Sequence, residues 1–118
     1  MRTIVMNTNN VVKDGQNNKL VYNFPNPVNS GITTFKFSCG YVDMEAEIRI
    51  YNIAAELVRI VSDSELDKTG MPVYKYDWNC ANSSNEKVAS GVYIYQIMAK
   101  DKVTGETKRV TKKLAIIK

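Results

Sequence analysis

Residue types that perform chemistry are scarce in this sequence of 118 residues. It contains no histidine, which removes Ser-His-Asp and Cys-His nucleophilic arrangements as well as any imidazole general base or zinc ligand. Its glycines form neither a phosphate-binding loop nor a dinucleotide-binding fingerprint, because no predicted helix follows them. We therefore expect a domain that is not an enzyme and that holds no cofactor and no metal.

Carboxylates and amides occur in two polar stretches. Asp63, Glu65 and Asp67 could pair for acid/base work, although such residues in a polar loop are usually just solvated. A second stretch, residues 77–86, invites a calcium interpretation but lacks the alternating ligands and central glycine of an EF-hand loop. Turns stabilised by Asn side chains are the simpler prediction there. The oxygen-bearing residues of this stretch are Asp77, Asn79, Asn82, Asn85 and Glu86.

The two cysteines, Cys39 and Cys80, have structural interpretations. Cys39 continues the alternation of Phe35 and Phe37, which predicts a small buried side chain, while Cys80 lies in a turn beside Trp78. A disulfide between them is an alternative that the sequence leaves open. Reactive thiol chemistry would need a basic neighbour or a helix N-terminus, and the sequence places neither.

An aromatic row offers one possible binding surface. Its members are Tyr74, Tyr76, Trp78, Tyr93 and Tyr95. Facing solvent, they would form a platform for stacking on sugars. The favoured prediction is a core or half-buried ladder, because aromatic pairs commonly stabilise neighbouring strands and Trp in a sandwich is usually interior.

Positive charge gathers near the C-terminus. The net charge is +4, and seven of the sixteen basic residues are Lys100, Lys102, Lys108, Arg109, Lys112, Lys113 and Lys118. No recognition helix accompanies them, so nucleic acid is not the expected partner. Basic side chains on an edge strand discourage edge pairing, and they also suit an acidic partner or an anionic lipopolysaccharide surface.

The elements that must position these residues are strands. From residue 20 onward, short period-two runs rich in β-branched and aromatic residues alternate with turn formers about every ten residues, which is typical of a β-sandwich. We predict an all-β, immunoglobulin-like antiparallel sandwich of about seven strands in a single domain, residues 20–118. Residues 1–19 are polar and predict a linker or upstream tail with at most one short strand.

Individual strands follow from the same pattern. Residues 20–24 form an edge strand ended by Pro25 and Pro27. Residues 46–51 and 56–61 form a hairpin, against a competing helix over 53–60. Residues 62–72 form a polar crossover loop. The almost wholly apolar run 92–99 predicts a central strand packed on both faces, and residues 107–118 complete a final hairpin.

No apolar stretch approaches the ~20 residues needed to cross a bilayer, and residues 1–6 lack the long apolar segment of a signal peptide. If the parent protein is exported, we expect its export signal to lie in a longer precursor.

Six segments in order carry a family resemblance. They are residues 22–29 (YNFPNPVN), 33–38 (TTFKFS), 48–58 (IRIYNIAAELV), 76–79 (YDWN), 89–95 (ASGVYIY) and 113–118 (KLAIIK). In these segments the chain resembles the C-terminal type A sorting domains of the type IX secretion system, which are related to the Ig-like domain of flagellar hook-cap proteins. Three positions depart from the family pattern: Ala55 and Cys80 stand in place of glycine, and Cys39 in place of leucine. At Ala55 this predicts a milder turn.

The resemblance implies a C-terminal domain that directs export and surface attachment of a larger protein. Its implied partners are the outer-membrane translocon or attachment machinery of type IX secretion and a covalently linked upstream cargo domain. The recognition residues would be Lys112, Lys113, Leu114, Ile116, Ile117 and Lys118, and the structural motif residues Pro25, Asn26, Pro27, Trp78, Gly91 and Tyr93. Two alternatives of other classes remain at this point: a structural Ig-like spacer or assembly domain of a surface protein, and a carbohydrate-binding module.

Overall fold

The computed structural model describes residues 19–118. The predicted polar tail lies outside this range except for Lys19, which begins the first strand. The described residues form two four-stranded sheets packed face to face. In chain order the strands are β1 Lys19–Phe24, β2 Thr33–Cys39, β3 Met44–Asn52, β4 Leu57–Val61, β5 Asp67–Gly70, β6 Val73–Trp78, β7 Gly91–Asp101 and β8 Thr107–Ile116.

One sheet has the strand order β1-β2-β6-β5 and the other β4-β3-β7-β8, with antiparallel pairing between all strand neighbours. The predicted immunoglobulin-like sandwich is therefore confirmed, and β1 lies at a sheet edge as expected. Between residues 19 and 118 there is no helix of the length and hydrophobicity needed to cross a membrane.

Strand alternation places the core between the two sheets. Phe35, Phe37 and Cys39 on β2 are fully buried, and Ile48 and Ile50 on β3 face them across the sandwich. Burying side chains of this size stabilises the fold by about 1.5–3 kcal/mol each. These are the inward faces that the period-two pattern predicts.

The competing helix over residues 53–60 is wrong. β4 pairs with β3 through partners such as Ile48 and Val61. Asn52 sets the turn between them, because its Oδ1 accepts hydrogen bonds from the N–H groups of Ala54 and Glu56 at 3.0 and 2.9 Å. Side chains of Asn commonly nucleate turns in this way, and here that local bond outweighs the helix propensity of the segment.

The predicted mild turn at Ala55 is also wrong, because Ala55 has a φ of +66°. Cys80, the other position where the resemblance expects glycine, has a φ of +58°. Both residues therefore adopt the left-handed conformation that glycine tolerates best.

The crossover loop of residues 62–72 contains more structure than the sequence predicts. A 3₁₀ turn covers Asp63–Glu65, and β5 then pairs with β6 through Asp67 opposite Lys75. The chain does cross from one sheet to the other here. Strand β5 was not predicted because its four residues are polar and show no alternation.

β7 is the central strand of its sheet together with β3, as predicted, but it is not packed on both faces. Tyr93, Tyr95, Ile97 and Ala99 are buried, whereas Val92 is 43% exposed and the outward residues Ile94, Gln96 and Met98 are half-buried. The outer face of the β4-β3-β7-β8 sheet therefore borders solvent. An apolar sequence does not by itself distinguish a doubly packed strand from one with an apolar exposed face.

Candidate functional site at the C-terminal pole

A short segment after β1 connects the two sheets at the end of the sandwich where β8 terminates, which we call the C-terminal pole. Pro25 and Pro27 have no N–H to donate, so β1 cannot continue its ladder. The chain instead crosses to the other sheet, where Val28 forms a parallel bridge with Ile116. We call residues 25–28 the clasp.

Backbone hydrogen bonds hold the clasp against the end of β8. The N–H of Val28 donates to the carbonyl of Ala115 at 2.7 Å, and the N–H of Ile117 donates to the carbonyl of Val28 at 2.8 Å. Val28 is itself fully buried. The clasp therefore covers the outer edge of β8 at its last residues.

Asn26 extends this pairing with its side chain. Its Nδ2 donates to the carbonyl of Lys113 at 3.3 Å, and its Oδ1 accepts from the N–H of Ala115 at 3.1 Å. A primary amide carries one donor group and one acceptor, so it can bond both backbone groups as a neighbouring strand would. Asn26 thereby takes the place of a strand residue between two prolines that cannot donate.

A buried polar network supports the clasp from behind. Thr33 Oγ1 donates to the carbonyl of Pro25 at 2.9 Å, and Asn23 Nδ2 donates to Thr33 Oγ1 at 3.1 Å. Asn26 Nδ2 also lies 3.4 Å from Asn23 Oδ1. Because Asn23 and Thr33 are nearly inaccessible to solvent, their hydrogen bonds fix the segment in one arrangement.

The start of β7 contacts the chain end at the same pole. Ser90 Oγ accepts a hydrogen bond from the N–H of Lys118 at 3.1 Å, and the Tyr93 hydroxyl donates to the carbonyl of Ala89 at 2.7 Å. Gly91, between them, has a φ of +153° that side-chain-bearing residues rarely adopt. In this segment, Ser90 therefore bonds the chain end, Gly91 allows the backbone conformation, and Tyr93 bonds the preceding loop.

Trp78 packs beneath this arrangement and links the sheets. It is fully buried, its Nε1 donates to the carbonyl of Ala81 at 2.9 Å, and its ring lies 6.5 Å from that of Tyr93 and 6.2 Å from that of Phe35. Edge-to-face and tilted aromatic pairs of this kind add to the stabilisation from burial.

The aromatic row is core and not a sugar platform. Tyr74, Trp78, Tyr93 and Tyr95 are all buried, and only Tyr76 is partly accessible. Burial raises the pKa of Tyr95 to about 12. The prediction of a buried ladder is confirmed, and the carbohydrate-binding alternative loses the residues on which it was based.

The structure divides the six predicted recognition residues into two groups. Leu114 and Ile116 are buried and belong to the core. The others are exposed on the last part of β8 or just after it: Lys112, Lys113, Ile117 and Lys118. The first group anchors the terminal strand, and the second is accessible to a partner.

The basic cluster seen in the sequence separates in space. Lys108 lies near the opposite pole, where its Nζ donates to the carbonyl of Cys39 at 3.0 Å and sits 4.8 Å from the centre of the Tyr41 ring. Lys113 pairs with Ile94 near the C-terminal pole. One strand therefore presents positive charge at both ends of the domain.

The acidic residues of the crossover segment are engaged structurally. Asp63 accepts hydrogen bonds from the Ala46 N–H at 2.8 Å and from Lys68 Nζ at 2.6 Å. Burial would raise the pKa of Asp63, but these bonds outweigh it and the pKa lies below its usual value. Glu65 receives a hydrogen bond from Arg59, which lowers the pKa of that carboxyl. Asp63 therefore satisfies the N–H of Ala46 at the start of β3, beyond the residues that pair with β4, and Glu65 stabilises the 3₁₀ turn.

The Asn-rich stretch forms the turn that the sequence predicts. Asn82 Oδ1 accepts hydrogen bonds from the N–H groups of Ser84 and Glu86, both at 2.9 Å. Among the residues that the structure describes, no cluster of three or more acidic or cysteine side chains could hold a metal ion.

Cys39 and Cys80 are both buried thiols, and no disulfide joins them. Burial raises the pKa of the Cys80 thiol. The predicted core position of Cys39 is confirmed, and the open disulfide alternative is wrong.

Sequence reasoning missed two kinds of residue at this pole. Ser90, Asn23 and Thr33 lie in the resembling segments but were assigned no role, because nothing local in the sequence shows which residues they bond. The outward residues Val92 and Ile94 were assigned to a doubly packed strand. Asn26 was named through the resemblance as a structural motif residue, but its bonds to β8 were not predicted, although its position between two prolines that cannot donate is a local signal for such a role.

The fold is similar to parts of two proteins of known structure. The chain is similar to part of PorU from Porphyromonas gingivalis, in a structure described as dimeric latent PorU, with a TM-score of 0.62, 23% identity, and coverage of 90% of this chain and 10% of PorU. It is also similar to part of PorZ from the same organism, described as an essential bacterial surface component of the type-IX secretion system, with a TM-score of 0.49, 21% identity, and coverage of 83% and 11%.

The chain spans about a tenth of the length of each of these proteins. At such identities the similarity to PorU establishes the fold alone, and the similarity to PorZ is too slight to support an argument. No protein-family model matches the sequence, and no curated protein matches it.

Proposed function

We propose that this chain is a non-catalytic domain that directs the export and surface attachment of a larger protein through the type IX secretion system. One observation carries the proposal: segments that resemble the sorting-domain family meet at the C-terminal pole, including residues 33–38, whose Thr33 donates a hydrogen bond to the carbonyl of Pro25. The clasp contacts β8 through Asn26 and Val28, and Ser90 contacts the backbone of Lys118.

A signal that is recognised in folded form needs exposed groups held on a rigid support. At the C-terminal pole, Lys112 and Lys113 precede the buried Leu114, and Ile117 and Lys118 follow the buried Ile116. The clasp fixes this strand from its open side. Positively charged side chains on a rigid strand are suited to steering and orienting a negatively charged partner surface.

The position of the upstream chain is compatible with this role. Lys19 pairs with Cys39 at the pole opposite to Ile116. An upstream cargo joined through residues 1–18 would therefore connect away from the C-terminal pole and leave it accessible.

Backbone conformation at two departures from the family pattern also supports the proposal. Ala55 and Cys80 replace glycine residues of the family and still adopt positive φ values of 66° and 58°. Both positions therefore have the backbone conformation that glycine tolerates best, which supports the resemblance although neither residue is glycine.

The partners we propose are the outer-membrane translocon or attachment machinery of type IX secretion and a covalently linked upstream cargo domain. Anionic lipopolysaccharide is a further candidate, because its charge complements Lys112, Lys113 and Lys118. The corresponding location is the outer-membrane surface or the extracellular space.

Fusing a signal peptide and a reporter enzyme ahead of residues 1–118 tests the proposal. We expect the reporter to reach the cell surface or medium in a host with the type IX apparatus and to stay in the periplasm of an isogenic host without it. Reporter that remains in the periplasm of both hosts would contradict the proposal and favour a structural spacer.

A further inference from the structure

An apolar patch occupies the outer face of the β4-β3-β7-β8 sheet at the C-terminal pole. The strand register places Tyr51 opposite both Leu57 and Ile94, and Val92 opposite Ala115. Tyr51, Val92, Ile94 and Ala115 point away from the core, because buried residues lie next to them along their strands, and the pairing of Leu57 with Tyr51 places Leu57 on the same face. We call these five residues the terminal patch.

The terminal patch is accessible and bounded. Leu57 is 49% exposed and Val92 43% exposed, the other three members are half-buried, and Ile53 and Ile117 beside the patch are 72% and 53% exposed. Toward the other pole, the same sheet face becomes polar or charged, with Gln96 opposite Thr111 and Lys100 opposite Thr107. Contiguous exposed apolar surface with a polar border commonly marks a site of protein contact.

Charge indicates the chemistry of the occupant. Lys113 lies opposite Ile94 on the edge strand, and Lys118 follows the end of that strand. A surface that covers the apolar side chains would approach both ammonium groups. Acidic groups along that border would complement them and fix the orientation of the complex.

We propose that the terminal patch docks a protein of the export apparatus whose contact surface has an apolar centre and an acidic border facing β8. This inference rests on the proposed function and names the surface that the partner contacts. It adds Tyr51, Leu57, Val92 and Ile94 to the exposed lysines of the terminal strand.

Charge introduced into the terminal patch provides the test. We use the reporter fusion to residues 1–118 and compare Val92→Glu with Thr111→Glu, which adds the same charge on the same sheet face beyond the patch. We expect Val92→Glu to lower the exported fraction by about tenfold or more, as loss of an interface anchor does. Thr111→Glu should be exported like the unmodified domain.

Folding is verified on the purified domains by near-ultraviolet circular dichroism and thermal unfolding. Leu57→Glu is a second variant of the terminal patch. If one of the two variants does not fold, the other still tests the docking surface. If a folded patch variant is exported as well as the unmodified domain, the docking surface is wrong while the proposed function stands. If the unmodified fusion is not exported, the proposed function and this inference both fail.

Self-association is the competing occupant, and sedimentation velocity distinguishes it. We expect the purified domain and Val92→Glu both to sediment as monomers. A dimer that dissociates on Val92→Glu would overturn the inference, because the patch would then be an interface between two copies of this chain.

Discussion

At the scale of single residues, the terminal strand depends on a side chain far away in sequence. Asn26 bonds the carbonyl of Lys113 and the N–H of Ala115, 87 and 89 residues along the chain. An alanine offers neither group, and an aspartate offers only acceptors. This position therefore requires an amide side chain. A turn alone would accept other small polar residues.

We expect Asn26→Ala to lower the free energy of unfolding by about 1–2 kcal/mol, because two hydrogen bonds to the strand backbone are lost. Asn26→Asp should cost a comparable amount, since a carboxylate cannot donate to the Lys113 carbonyl. Urea denaturation measures both. Asn29→Ala, on the exposed turn after the clasp, is the control and should change stability by less than about 0.5 kcal/mol. Equal losses for Asn26→Ala and Asn29→Ala would contradict the role assigned to Asn26.

Asp63 makes stability depend on pH. Its pKa is lowered in the folded state by Lys68 and the Ala46 N–H against the opposing effect of burial. A lowered folded pKa means that the ionised group contributes stability above the unfolded value of about 3.9, and that this contribution is lost as pH falls through the folded pKa.

Asp63→Asn should accordingly be less stable than the unmodified domain near neutral pH and should lose less stability on acidification. Unfolding free energies measured by urea at neutral pH and at about pH 3 test this, with the pH range set by the unfolded pKa. Glu65, whose pKa is also lowered, leaves part of the acid dependence in place. If the free energy of unfolding of Asp63→Asn and of the unmodified domain changed equally with pH, the interactions of Asp63 would not favour its ionised form.

At the scale of elements, most strands follow from local pattern and the clasp does not. Alternation identified the buried faces of β2 and β3, because period-two burial is encoded within each strand. Strand β5 escaped prediction since its residues are polar and its pairing with β6 is decided by the sheet. The pairing of Val28 with Ile116 depends on which segments the topology brings together, and no local pattern encodes that.

Glycine substitutions at two adjacent residues of the β3–β4 turn should change the stability of the domain in opposite directions. Ala55 has a φ of +66°, a conformation that costs a residue with a side chain about 1–2 kcal/mol. Ala55→Gly should relieve that cost and stabilise the domain by about 0.5–1 kcal/mol, after the larger entropy of unfolded glycine is subtracted. Ala54→Gly gains no such relief and should destabilise it. Thermal unfolding of both variants measures the difference, and destabilisation by Ala55→Gly would show that the turn is not strained.

The terminal strand itself is both core and surface. Leu114 and Ile116 are buried, and losing a buried side chain of this type costs about 2–5 kcal/mol. Deleting residues 113–118 would therefore remove two core anchors together with the exposed lysines. We expect that deletion to unfold the domain as well as abolish export, so a loss of export on deletion would not identify the recognition residues. Substitutions at the exposed positions avoid this ambiguity.

At the scale of the whole molecule, the two poles of the sandwich hold different parts of the chain. The upstream chain joins at one pole, and the clasp, the start of β7 and the end of β8 converge at the other. Composition and pattern predicted the sandwich, and the resemblance singled out six segments as candidates for a role in export. Neither could show that the basic side chains of β8 lie at both poles. Residues at the two ends of this ten-residue strand are close in sequence but lie at opposite ends of the domain.

Charge reversal at each pole tests whether the C-terminal pole is the part of the domain that is recognised during export. Lys113→Glu with Lys118→Glu changes that pole, and Lys100→Glu with Arg109→Glu makes the same change in charge at exposed positions farther from it on the same sheet. The measurement is the fraction of reporter fused to residues 1–118 that reaches the surface or medium of a type IX host, with folding verified for each purified variant. We expect the first pair to leave the reporter in the periplasm and the second pair to be exported normally. Equal export of both folded variants would contradict recognition at the C-terminal pole.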